Sequence, residues 1–144
     1  MNTKLLNNGF SLNNLMYLVL LVAASMALYS FTLPQEKPWN VPDAYAKKAN
    51  PVKADAESLQ TGKELYAKHC ASCHGKTGKG DGTKAAQLET EMQDFTKDDV
   101  QKQSDGTLFY KILEGRDEMP TFKKKIPDES DIWSLVNYVR TLKK

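Results

Sequence analysis

The sequence has little of several features on which common folds and functions depend. It contains two cysteines and two histidines among 144 residues, and its formal net charge is only +2. Two cysteines cannot form the disulfide framework that stabilises many small secreted domains. A charge this small gives no sign of nucleic-acid binding, which requires a strongly basic face. The sequence also lacks internal repeats and strand-like alternation, so its length predicts one small domain with appendages.

The N-terminal 34 residues differ in composition from the rest. Residues 15–33 contain no charged side chain, and an apolar helix of about 19 residues is long enough to cross the hydrocarbon core of a membrane. Residues 1–34 are therefore predicted to be an uncleaved membrane anchor or a signal peptide cleaved after Ala27. The length of the apolar run favours the anchor. Both interpretations export the rest of the chain, to the periplasmic side of a bacterial cytoplasmic membrane.

Residues 35–55 are predicted to be a linker. They contain three of the six prolines and show neither helical nor strand periodicity. Prolines keep such a segment extended and make it a semi-rigid tether. A domain formed by residues 56–144 is expected to follow.

This domain is predicted to be all-α. Apolar residues recur at helical spacing in three stretches, residues 59–69, 104–115 and 128–142. Ser104 and Asp128 are typical N-cap residues, and Gly115 can end the middle helix. Four glycines between residues 75 and 82 predict an irregular loop whose backbone can pass close to a bulky group.

The most specific motif is Cys70-Ala71-Ser72-Cys73-His74. Two thiols separated by two residues match the two vinyl groups of haem, and the next residue presents an imidazole to the iron. Zinc would need a second pair of ligands elsewhere, and a thioredoxin-like pair would begin a helix rather than end one. A disulfide between these cysteines would close almost no loop. The motif therefore predicts one haem c, attached through Cys70 and Cys73 with His74 as an axial iron ligand.

Three side chains are candidates for the second axial position. His69 lies on the attachment side, next to Cys70, and cannot reach around the porphyrin, so it is expected to be exposed to solvent. Met119 precedes Pro120, which restricts the backbone and can present the thioether on a defined loop. Met92 lies in a polar stretch without such support. We predict Met119 as the ligand, with ordinary packing in the core as the alternative for each methionine.

Taken together, these motifs resemble class I c-type cytochromes over about residues 59–142. In chain order they are Gly62-x-x-Leu65-Tyr66, residues 70–81, Asp94-Phe95-Thr96, Met119-Pro120 and Leu135-x-x-Tyr138. The resemblance implies the cytochrome c fold, with the first and last helices crossing where Gly62 faces Tyr138. In the family, a proline near the glycine-rich loop often helps to supply a carbonyl to the proximal histidine. Here no proline lies between Pro51 and Pro120, so the acceptor for His74 is not identified.

A haem with both axial positions filled predicts a one-electron carrier in a respiratory or related electron-transport chain, not an enzyme. One alternative is a haem-bearing subunit of a larger membrane oxidoreductase complex. Another is a catalytic or gas-binding haem protein, should Met119 not be a ligand.

Lysines near the two haem-binding segments are candidates for docking a redox donor or acceptor. They are Lys76, Lys79, Lys123, Lys124 and Lys125. A basic rim around the haem edge would steer an acidic partner, whereas a solvated lysine face is the alternative.

Overall fold

The computed structural model describes the backbone of residues 11–29 and 38–144. In chain order the helices of this part are α1 (Leu12–Tyr29), α2 (Asp43–Ala46), α3 (Ala56–His69), α4 (Ala71–His74), α5 (Asp98–Gln101), α6 (Asp105–Glu114) and α7 (Glu129–Thr141). A 3-10 turn, Ala85–Gln87, lies between α4 and α5. The described residues contain no strand beyond one isolated bridge between Arg116 and Met119, which confirms the all-α prediction.

The chain divides into two compact units, Met1–Trp39 and Asn40–Lys144. The first contains α1, whose 18 residues begin with Leu12-Asn13-Asn14. At 1.5 Å per residue such a helix is about 27 Å long, slightly less than the hydrocarbon thickness of about 30 Å. Among the described residues, no helix combines the length and the apolar character that crossing a membrane requires. The expected span of residues 15–33 therefore gains no support here, and its last four residues lie outside the described part.

Residues 40–55, for which an extended linker is expected, belong to the second unit. Tyr45 in α2 stacks on Phe109 of α6, with ring centroids 6.4 Å apart, and packs at a tilt against Tyr110, with centroids 4.9 Å apart. Gly106 permits this approach, because a Cβ there would collide with the Tyr45 carbonyl oxygen. Residues 40–55 thus pack against α6 through Tyr45, a contact that the prolines of the segment gave no reason to expect.

Hydrogen bonds hold the end of the same segment against α7. The Asn50 amide donates to the Trp133 carbonyl at 3.3 Å and to Asn137 Oδ1 at 2.8 Å. In return, the Asn137 amide donates to the Val52 carbonyl at 3.1 Å. Because Asn137 is buried, these bonds satisfy a side chain that would otherwise be costly to bury.

The second unit is built on the crossing of α3 and α7. A Cβ at Gly62 would collide with the Ser134 carbonyl and with Cβ of Tyr138, so only glycine allows this close approach. Tyr66 of α3 packs on Tyr138 with ring centroids 5.2 Å apart. The crossing is the one that the resemblance implies. It places the end of α3, and with it the Cys70–His74 motif, against the core.

The predicted caps of the domain helices are present. Ser104 accepts a hydrogen bond from Thr107 N at 3.2 Å, and Asp128 accepts one from Ser130 N at 2.8 Å. Gly115 ends α6 with a φ of 65°, which favours glycine. The core between these helices consists of Tyr66, Val100, Leu108, Phe109, Leu113, Phe122, Ile126, Ile132, Trp133, Leu135, Val136 and Val139.

Candidate functional site

The Cys-x-x-Cys-His motif occupies the sharp junction between α3 and α4. Cys70 ends α3 by donating its N–H to the Tyr66 carbonyl at 2.9 Å, and its own carbonyl accepts from His74 N at 2.9 Å. Cys70 and Cys73 are half-buried and not joined in a disulfide. Burial, with a smaller contribution from Cys73, raises the pKa of the Cys70 thiol to about 12. Both sulfurs are thus available for covalent attachment of a ligand.

His74 is held as a neutral imidazole. Burial lowers the pKa of His74 to about 4, so the ring carries no charge at neutral pH. The ring stacks on Phe95 with centroids 4.4 Å apart and an angle of 27° between the planes. Its Nδ1 atom is buried and has no hydrogen-bond partner among the described residues. A neutral imidazole retains the lone pair that a metal ligand needs.

The glycine-rich loop wraps around the backbone of His74. Gly80 N donates to the His74 carbonyl at 2.9 Å, and Gly82 N donates to the Cys73 carbonyl at 3.1 Å. The Tyr66 hydroxyl donates to the Gly75 carbonyl at 2.7 Å. Gly75 and Gly80 have φ values of 79° and 77°, which residues other than glycine rarely adopt. The glycines therefore shape the loop that fixes His74.

Residues 92–96 complete this side of the site. The Met92 carbonyl lies close to Gly80, because a Cβ added at Gly80 would be only 2.6 Å from the Met92 carbonyl oxygen. Asp94 Oδ1 accepts from Thr96 N at 2.9 Å and from Thr96 Oγ1 at 2.7 Å, which closes a local turn and lowers the pKa of Asp94. The turn presents Phe95 to the His74 ring. Sequence reasoning noted the Asp94-Phe95-Thr96 pattern but missed this packing role, for which the only signal was an aromatic residue after a polar stretch.

Met119 lies in a tight turn beyond α6. Arg116 and Met119 exchange two backbone hydrogen bonds, each 2.8 Å long. Between them, Asp117 has a φ of 51°, which is uncommon for a residue other than glycine. The Thr121 hydroxyl donates to the Leu113 carbonyl at 2.7 Å and fixes the chain that follows. Met119 itself is half-buried and packs against the hydrophobic core.

His69 is half-buried rather than fully exposed. Its ring packs edge-on against Phe122, with centroids 5.9 Å apart. Desolvation, followed by the charges of Lys68 and Lys125, lowers the pKa of His69. The Lys125 ammonium lies 5.5 Å from the centre of the same Phe122 ring. His69, beside the Cys70–His74 motif, and Lys125, in the segment after Met119, thus both contact the Phe122 ring.

The predicted docking lysines are not equivalent. Lys123 forms an ion pair with Glu114 at 2.6 Å, and this contact raises the pKa of Lys123. All five lysines, Lys76, Lys79, Lys123, Lys124 and Lys125, are exposed, so the ion pair is what distinguishes Lys123. The pairing of Lys123 depends on the position of α6 and could not be predicted from the run of three lysines.

An all-helical domain with its Cys-x-x-Cys-His motif at a helix junction defines the chain as a c-type cytochrome. The family model described as "Cytochrome C oxidase, cbb3-type, subunit III" matches residues 57–139. The chain therefore belongs to this cytochrome c family. The prediction of the cytochrome c fold is thereby confirmed for the domain.

Two curated relatives are similar to the chain. The Cbb3-type cytochrome c oxidase subunit CcoP of Azospirillum sp. (strain B510) is 32% identical over 105 residues, which cover 68% of this chain and 33% of that protein. Cytochrome c6 of Cladophora glomerata is 32% identical over 90 residues, which cover 59% of this chain and 89% of that protein. The chain thus spans one third of the length of CcoP but most of the length of cytochrome c6.

Solved structures share the fold. The structure named KustC0563 c-type cytochrome is 34% identical with a TM-score of 0.51, and the match covers 58% of this chain and 98% of that one. A chain of the Kuenenia stuttgartiensis reducing HAO-like protein complex Kustc0457/Kustc0458 is 22% identical with a TM-score of 0.58, over 99% of this chain and 66% of that one. At that identity, the second match shows the fold alone.

Membership of this family means that the chain carries covalently bound c-type haem with iron. The residues present fit such a group. The two thiols are unpaired, and the imidazole beside them is neutral, as covalent attachment and iron ligation require. The chain is accordingly an electron carrier or a haem-bearing subunit of a larger oxidoreductase complex.

Proposed function

We propose that the chain is a one-electron carrier, not an enzyme, with a single haem attached to Cys70 and Cys73. His74 and Met119 are its axial ligands in this proposal. The observation that carries the proposal is the α3–α4 junction, where two unpaired thiols lie beside an imidazole that burial keeps neutral. When bound, the haem supplies an iron that gains and loses one electron.

The protein's own residues orient and complete the ligand set. Phe95 stacks on His74, while the Gly80 N–H holds the backbone carbonyl of His74 in place. Met119 is presented by a turn closed by two backbone hydrogen bonds. If His74 and Met119 both hold the iron, no coordination site would remain for oxygen or peroxide, which favours electron transfer over catalysis. A thioether ligand also gives a higher reduction potential than a second histidine.

The position of Met92 supports Met119 as the second ligand. The Met92 backbone packs against Gly80, in the loop that fixes His74. Met92 is therefore part of the His74 side of the site, whereas Met119 lies on a separate turn after α6. A second ligand to the iron would be supplied by a segment that does not pack against the loop that fixes His74, and the turn of Met119 meets this condition.

An absorption spectrum of the ferric protein tests the ligand assignment. We expect a thioether-to-iron band in the far red that is lost in Met119→Ala and retained in Met92→Ala. A high-spin ferric spectrum of the unsubstituted protein that shifts on addition of cyanide or peroxide would contradict the proposal and favour a catalytic or gas-binding haem. Mass measurement of the denatured protein would test attachment, since the unsubstituted chain should retain the mass of haem and the double variant with Cys70→Ala and Cys73→Ala should lack it.

The second candidate function is a haem-bearing subunit of a membrane oxidoreductase complex. The relative CcoP is a subunit of a cbb3-type cytochrome c oxidase by name, and it favours this alternative. The uncharged run of residues 15–33 is consistent with attachment to a bacterial cytoplasmic membrane, with the haem domain in the periplasm. Extraction with a mild detergent should recover the chain with further redox subunits in this case, and alone if it is an independent carrier. The mass of the mature protein from membranes would show whether residues 1–34 are retained.

For docking of a redox donor or acceptor, we propose a surface formed by Lys124 and Lys125 beside His69 and Phe122. Both lysines are exposed. The Lys125 ammonium lies over the Phe122 ring, and the same ring contacts His69, the residue that precedes Cys70. Such a surface would attract an acidic partner and accelerate encounter at low salt. Charge reversal at Lys124 and Lys125 should slow electron exchange and weaken its salt dependence. Charge reversal at Lys79 is the control. If it slows electron exchange as much as reversal at Lys124 and Lys125, the proposed position of the docking surface would be contradicted.

A further inference from the structure

Glu118, the residue before Met119, extends its side chain to a different part of the chain. Its Oε2 accepts a hydrogen bond from Thr90 N at 2.8 Å, and its Oε1 accepts one from Glu89 N at 3.2 Å. Both bonds are made to one carboxylate group, which is ordinarily ionised at neutral pH. Hydrogen bonds to an ionised acceptor are stronger than those between neutral groups.

The segment that Glu118 contacts leads directly to the His74 side of the site. Two residues after Thr90, the Met92 backbone packs against Gly80. Gly80 in turn donates its N–H to the His74 carbonyl at 2.9 Å. One carboxylate therefore connects the turn of Met119 with the loop that fixes His74, across 28 and 29 residues of sequence.

Other hydrogen bonds fix the Met119 turn internally and to the end of α6. The bonds between Arg116 and Met119 are internal to the turn, and the Thr121 hydroxyl binds the Leu113 carbonyl at the end of α6. A movement of Met119 away from the His74 side could leave these bonds intact. The same movement would break the two hydrogen bonds of Glu118.

We propose that Glu118 is a positioning residue, which retains Met119 on the iron by clamping its turn to residues 89–90. The inference depends on the proposed function, because it requires Met119 to be an axial ligand. Release of the thioether then requires the clamp to open. Removal of the clamp should accelerate release while the same two ligands remain in the resting state.

The test uses the full-length, haem-loaded ferric protein and cyanide as the probe. At saturating cyanide, the rate of loss of the far-red thioether band reports release of Met119. We expect this rate to rise roughly two- to tenfold in Glu118→Ala, the range for loss of a hydrogen bond. Glu118→Gln should show a smaller increase, because its amide keeps one acceptor oxygen. Glu91→Gln is the matched control, since it removes the same charge one residue beyond Thr90 and should leave the rate unchanged.

The possible results separate this inference from the proposed function. Absence of the thioether band in the unsubstituted protein would refute Met119 ligation itself. A normal band together with equal rates in Glu118→Ala and the unsubstituted protein would overturn the clamp alone. A lower denaturant midpoint with an unchanged cyanide rate would likewise overturn it, because Glu118 would then support only the fold. A similar acceleration in Glu91→Gln would assign the effect to charge rather than to the hydrogen bonds.

Discussion

The His74 side and the Met119 side of the proposed site are held in place by different means. On the His74 side, the loop of residues 75–82 is shaped by glycines, and Met92 packs where Gly80 has no side chain. On the Met119 side, a short turn is closed by its own backbone bonds, although Asp117 adopts a φ of 51°. The His74 side depends on glycines, which have no side chain to collide with their neighbours. The Met119 side instead tolerates a positive φ at Asp117, a residue other than glycine. The same kind of substitution should therefore have different effects on the two sides.

The largest effect is expected for Gly80→Ala. The substitution combines a left-handed conformation with a collision against the Met92 backbone, whose oxygen would lie 2.6 Å from the added Cβ. We expect the free energy of unfolding to fall by about 2–4 kcal/mol, measured by denaturation with urea. Gly78→Ala is the matched control, because Gly78 has a similar φ of 75° but its Cβ would meet side chains rather than backbone, with Leu142 Cδ1 at 2.8 Å and Phe95 Cβ at 3.1 Å. That variant should lose about 1–2 kcal/mol, and equal losses would contradict the role of the Met92 contact.

A smaller effect is expected for Asp117→Val on the Met119 side. A β-branched residue is strained at positive φ, so we expect the free energy of unfolding to fall by about 1–2 kcal/mol. Asp117→Gly is the control, because glycine adopts this conformation without strain and should leave stability within about 1 kcal/mol of the parent. Destabilisation by glycine as large as that by valine would show that the Asp117 side chain, rather than its conformation, holds the turn.

The smallest effect concerns His69, which links the two sides through Phe122. Its pKa is lowered in the folded protein, so below the ordinary pKa the unfolded chain binds more protons than the folded one. Stability should therefore decline slightly as the pH falls from about 7 towards 5, and remain unaffected by His69 at higher pH. Denaturation curves at several pH values should show a shallower decline in His69→Gln. An identical pH dependence in both proteins would contradict the contribution of His69.

The sequence allowed the main helices of the domain to be predicted because their signals are local. Ser104, Gly115 and Asp128 act within one helical turn, and the structure has them at the ends of α6 and α7. The crossing at Gly62 followed from the family resemblance rather than from any local signal. The short helices α2 and α5 were not predicted, since four residues show no usable periodicity.

Features that depend on distant segments could not be predicted in the same way. The contact of Tyr45 with Phe109 and Tyr110 joins residues more than sixty positions apart. The pairing of Lys123 with Glu114 and the clamp of Glu118 likewise depend on how loops return to one another. A pattern of prolines or charges describes how a segment behaves alone, but not which surface will cover it.

The sequence by itself determined the chemistry available to this protein. Two thiols and an imidazole within five residues predict covalent haem attachment, because their spacing is set by the chain and not by the fold. Only the tertiary structure decided the surroundings of these groups. It buries His74 so that the ring is neutral, and it connects the Met119 turn to the His74 side. Burial and contacts between loops arise only when helices α3 and α7 cross and bring separate segments together, which no local pattern encodes.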